Sequence, residues 1–195
     1  MKLITAITLL SLSTVILLAA PKESKEMQLQ SIIKTGEKSS QLLLKTLGKN
    51  MKAHMQEGGT MGALDFCANE AYSLTQKVNK QLPNGIQVKR ISSQVRNPSN
   101  RTQDNELAVL NTFKSMQSAN ILLPRQLIEQ VNSTTFKYYK PLVIKKKVCL
   151  KCHGVVKDIE LKRAIAERYP LDNAMGYKMG DLRGAIVVTI DKSVK

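Results

Sequence analysis

From Lys25 to Gln56 apolar side chains recur at three- and four-residue spacings, through Leu29, Ile32, Ile33, Leu43, Leu44, Leu47, Met51 and Met55. That period predicts one long amphipathic helix, weakened at Gly36 and stopped by Gly58-Gly59. Thr60 can cap a second helix in which Leu64, Cys67, Ala68, Ala71, Leu74 and Val78 share a face, so that Cys67 points inward, and Pro83-Asn84-Gly85 ends it. The period then shortens. Ile86, Val88 and Arg90 interleave with Gln87, Lys89 and Ile91, which predicts a strand of imperfect alternation running to Val95, with Asn97 to Asn100 as loop. Asp104 can cap a short helix through Leu107, Leu110 and Met116, and a connection through Pro124 follows. Thr134 to Ile144, rich in aromatic and β-branched residues, reads as one or two strands with Pro141 at an edge or break. Val155 to Arg168 is expected to be helical and closed by Tyr169-Pro170, Tyr177 to Gly184 to turn, and Ala185 to Ile190 to form the clearest strand. Helices first and strands later give an α+β class with an antiparallel sheet.

Ahead of these elements, Met1-Lys2 precedes an uncharged, largely apolar run from Leu3 to Ala20. It reads as an export signal over residues 1–20, either removed after Ala20 or kept as a membrane anchor, since the run is about long enough to span a bilayer. Both outcomes place the remainder, residues 21–195, in the periplasm as one domain with a core of its own. The chain of 195 residues carries a formal charge of +15. An exported chain fits nucleic acid badly, and the lysines are spread along the sequence, with Lys145-Lys146-Lys147 the densest run. Most of them therefore read as solvated surface, and acidic redox proteins are the partners such a surface would meet.

The chemistry concentrates at Cys149-Leu150-Lys151-Cys152-His153, followed by Gly154. Two cysteines two residues apart with a histidine after the second is the arrangement for covalent haem c. Cys149 and Cys152 would add to the porphyrin vinyl groups, and His153 would be the proximal iron ligand. Structural zinc is disfavoured, because it normally takes four Cys or His ligands and the chain has three cysteines and two histidines, far apart. A disulfide across so short a loop leaves the histidine without a role. The enzyme alternative is a periplasmic thiol-disulfide oxidoreductase using Cys149 and Cys152; on the haem reading the protein is not an enzyme.

Several stretches taken in order carry a family resemblance: Gly58-Gly59-Thr60-Met61-Gly62-Ala63 leading to Cys67, Ser93 to Asn100, Cys149 to Gly154, and Gly176-Tyr177 through Gly184. Together they resemble a family of exported single-haem c-type proteins whose haem domain is PAS-like. The resemblance implies a PAS-like antiparallel sheet holding one haem, long helices packed at its N-terminal side, and a role in electron transfer or in redox or gas sensing. A diatomic gas is then a candidate small ligand. The distal iron ligand is left open among Cys67, His54, the methionines (Met175 and Met179 lie in a loop), water or nothing. Cys67 is favoured as the odd cysteine on an inward helix face, in a part of the chain where the family pattern also has a cysteine. His54 is the weaker alternative. Lys178, Arg183 and Arg90 are candidate partners for the haem propionates.

Overall fold

Ser24 opens the first helix, its Oγ accepting from the amide of Met27 at 3.2 Å. The computed structural model describes residues 24–194; the leader expected over residues 1–20 lies outside them. Among the described residues no helix is long and apolar enough to cross a membrane. The helical run Lys25–Asn69 (α1) turns back on itself at Gly58-Gly59, where Gly59 takes φ +60, a conformation open chiefly to glycine. Contacts across the bend show the reversal. His54 Nε2 lies 3.6 Å from Glu70, whereas a straight helix rising 1.5 Å per residue would hold them roughly 24 Å apart. The expected stop at the glycine pair is thus a helical hairpin.

A second break, at Glu70, carries no Gly or Pro to announce it. Before it Leu64 faces Leu161, Ala164, Ile165 and Tyr169, and after it Ala71 and Val78 of helix Ala71–Gln81 (α2) face the sheet. Phe66, before the break, packs with that sheet-facing cluster as well.

Four strands follow, Ile86–Ile91 (β1), Leu127–Gln130 (β2), Thr135–Val143 (β3) and Leu182–Asp191 (β4), with helix Glu106–Ser118 (α3) between β1 and β2. A helical turn Leu150–His153 (α4) and helix Ile159–Arg168 (α5) lie between β3 and β4. The sheet order is β1-β4-β3-β2 and every pairing is antiparallel. The class is α+β, and the open antiparallel sheet with helices on its faces is PAS-like. One face, carrying Val88, Phe136, Tyr138, Ile186, Val188 and Ile190, is covered by α1 and α2. The other, carrying Ile91, Tyr139, Ala185 and Val187, is covered by α3 through Leu110 and Phe113. Burial on both faces is why the centre of β4, Ala185-Ile186-Val187-Val188, reads as an unbroken apolar run.

β1 is an edge strand, and α2 closes it: the Asn79 side chain accepts from Val88 N at 2.7 Å and donates to Val88 O at 3.0 Å, as a neighbouring strand would. β1 stops at Ile91, four residues before the expected end. There the Ser92 hydroxyl accepts from Gln94 N at 3.2 Å and from Arg183 Nη1 at 2.6 Å, drawing the chain out of the ladder. Pro141 sits in β3 opposite Ala185, beyond the last β2 pair at Tyr139, so its missing amide costs no ladder bond. β2 was not expected; at four residues on the sheet edge, its half-buried Leu-Ile-Glu-Gln carries no alternation to read.

Gly36 marks where α1 crosses β3. It is buried in mid-helix, and a Cβ there would fall on the ring of Tyr138. Alanine favours a helix by about 0.8–1.0 kcal/mol over glycine, but overpacking costs typically about 1–3 kcal/mol, and the clash is with the rigid root of a ring that is 1 % exposed. Gly36→Ala is therefore expected to lower stability by about 1–2 kcal/mol, read as a fall in the urea midpoint with an unchanged slope. A stabilised variant would show that the crossing has room to open.

Candidate functional site

The attachment motif is a compact double turn. A 3₁₀ turn, Lys147–Cys149, runs into α4, and the chain leaves at Gly154, whose amide donates back to Leu150 O at 2.9 Å. A Cβ on Gly154 would lie 2.7 Å from that carbonyl, so the glycine is required by space. The loop before β4 then grips the motif: Tyr177 N donates to His153 O at 2.9 Å and Gly176 N to Gly154 O at 3.1 Å.

His153 Nδ1 is 2.8 Å from the carbonyl of Ala174. A carbonyl can only accept, so Nδ1 carries the proton and Nε2 keeps its lone pair. Burial, with Arg183 and Arg96 nearby, pulls the imidazole down to about 3. It is accordingly a neutral, oriented nitrogen donor at physiological pH. The ring of Tyr177 meets it edge-on at 6.4 Å, and the guanidinium of Arg183 lies over that same ring at 5.3 Å.

His153, Cys149, Cys152 and Cys67 line one cavity of about 220 Å³. Both arms of the α1 hairpin contribute, Met51 and Met55 from before the bend, Ala63, Leu64 and Cys67 from after it, and Tyr169 adds an aromatic wall. Arg90 from β1, Arg96 from the following loop and Arg183 from β4 complete the lining with Asn97, Asn100 and Val148, and no carboxylate faces the cavity. The Nε atoms of all three arginines are buried without an acceptor. Burial pulls Arg90 and Arg183 down from the usual guanidinium value, as expected for cations held away from water with no anion beside them. Burial pushes the Cys67 thiol up, with Arg90 opposing, and pushes Cys152 up as well.

The other expected residues lie elsewhere. His54 stacks on Phe66 with ring centroids 5.1 Å apart and faces Glu70 across the hairpin, outside the cavity lining. Met175 lines a separate cleft with Gln117 and Tyr177, and Met179 is 47 % exposed. Lys178 is exposed and is not among the lining residues. Sequence reasoning gave no role to Arg96. Its Nη2 donates to Cys152 O at 2.8 Å, Asp172 Oδ2 at 2.9 Å and Ala174 O at 3.3 Å, reaching the motif and its gripping loop together. An arginine in a stretch of otherwise polar loop gives no local sign of such a position.

The fold and site define a PAS-like α+β domain with one pocket built of thiols, imidazole and guanidinium groups whose buried Nε atoms lack acceptors. The chain belongs to the Tll0287-like family, whose model matches residues 19–191. Among solved structures it is similar to the cyanobacterial heme-protein Tll0287, with a TM-score of 0.57 and 22 % identity over 88 % of this chain and 99 % of that one. No match to a curated protein was found.

Proposed function

We propose that this protein is an exported, single-haem c-type cytochrome that transfers electrons or reports redox state. The observation that carries the reading is the lining of one cavity by Cys149, Cys152, His153 and three guanidinium groups with buried, unpaired Nε atoms. A haem is the group that needs this combination: two thiols for its vinyl groups, an imidazole for its iron and cations for its two propionates. Family membership and the likeness to a heme-protein fold support it.

On this reading Cys149 and Cys152 hold the group covalently and His153 is the proximal ligand, its tautomer fixed by Ala174. Arg90 and Arg183, neither of which has a carboxylate partner among the ion pairs of the described residues, take the propionates. Arg96 is already paired with Asp172. Cys67 is the distal candidate, since it lines the cavity and His54 does not. When bound, the haem supplies a one-electron couple and a coordination position. The cavity, about 220 Å³, is smaller than the ~300–1,000 Å³ of pockets that enclose a ligand. Lys145, Lys146, Lys147 and Lys151 are exposed beside the motif, where an acidic redox partner would dock.

The oxidoreductase alternative leaves the oriented imidazole of His153 and the buried guanidinium Nε atoms without a role. The two readings separate by colour. Protein made in a haem-maturing periplasm is expected to be red, with an absorption that survives acid-acetone extraction. A colourless protein of unmodified mass, alongside a control cytochrome that is loaded, would sink the haem reading.

A further inference from the structure

We propose that Arg96 and Asp172 are a pair of positioning residues that set the donor strength of His153 through the carbonyl they share with it, and so set the reduction potential; this rests on the haem reading above. The carbonyl of Ala174 accepts from His153 Nδ1 at 2.8 Å and from Arg96 Nη2 at 3.3 Å. A cationic donor on a carbonyl draws its electron density and makes it a poorer acceptor for the imidazole N–H. The imidazole then has less anionic character and donates less to iron, which favours the ferrous state.

Asp172 tempers that pull. Its Oδ2 binds the same Nη2 at 2.9 Å, and its Oδ1 accepts from Ala174 N at 2.8 Å, holding in place the residue whose carbonyl is shared. The two side chains are 7 % and 4 % exposed. At that burial water and salt screen their charges far less than on the surface, so removing one charge reaches the histidine with little attenuation. Arg96 also binds the carbonyl of Cys152, the residue before the ligand. The guanidinium thus touches the backbone on both sides of the pocket's imidazole through one nitrogen, Nη2, which lies one bond farther from the main chain than a lysine Nζ, so a lysine falls short of the Ala174 carbonyl.

The test is potentiometric titration of covalently loaded protein, as wild type and as three variants that keep polar groups in place. Asp172→Asn removes the negative charge, leaving one amide oxygen to accept from either Ala174 N or Arg96 Nη2, and is expected to raise the potential. Arg96→Lys keeps a charge but withdraws the donor from Ala174 O, and is expected to lower it. Each change should be on the order of tenfold in the ferric–ferrous equilibrium, 59 mV for one electron. Asp172→Glu, which restores the charge, is expected to return toward the wild-type value. A purely structural pair would not produce opposite signs, so both variants moving together, or neither moving, overturns the inference while the haem reading stands. Wild type without covalent haem overturns both.

Discussion

Replacing Cys149 and Cys152 together by alanine is expected to abolish covalent haem, leaving a protein whose mass is that of the polypeptide and whose colour, if any, is lost on acid-acetone extraction. Only thioether bonds survive denaturation, and the described residues offer one further thiol, Cys67, on a different element. Both motif thiols line the same cavity, held by a turn that Arg96, Tyr177 N and Gly176 N fix to the rest of the fold, so each would reach one vinyl group on the rim of the same porphyrin. His153→Ala should retain some thioether linkage while losing the normal axial field. A wild-type-like spectrum in that variant would count against the proximal role, and full covalent loading of the double alanine variant would remove the attachment assignment.

The second large effect is expected at Cys67. A thiolate opposite histidine stabilises the ferric state, and axial-ligand identity moves haem potentials over roughly 0.8 V. Cys67→Ala is therefore expected to change the ferric spectrum and raise the potential, with little effect on attachment. Cys67→Ser should follow it, since a neutral hydroxyl is a poor ligand. Burial alone raises this thiol, so a thiolate there needs the charge of the metal to hold it. His54→Ala should leave the spectrum unchanged, because His54 is occupied with Phe66 and Glu70 outside the cavity lining. Electron paramagnetic resonance of the ferric variants decides: a shift on losing His54 and none on losing Cys67 would reverse the assignment. The contrast is useful because both residues sit on α1, one on each arm of the hairpin, and substitution at either disturbs the same helix pair.

Much of this architecture is written locally. The three- and four-residue apolar spacing of α1, the glycine pair that turns it, the β-branched run of β4 and the double-cysteine motif each depend on neighbours within a few positions, and those rules act on any chain carrying them. For the same reason the α+β class and the motif with His153 could be read from residue order, and the inward placement of Cys67 from helical period. The break at Glu70 and the short strand β2 could not: no Gly or Pro marks the first, and β2 exists only by pairing with β3. The convergence of Cys67, Arg90, Arg96, Arg183 and the motif on one cavity was likewise decided by tertiary structure. These groups come from α1, β1, the loop after it, β4 and α4, and only the antiparallel order β1-β4-β3-β2 sets Arg90 and Arg183 on adjacent strands. A surface lysine and a buried arginine look alike in a sequence of net charge +15. Burial, which strips water from three guanidinium groups and leaves their Nε atoms without acceptors, is a property of the folded chain alone.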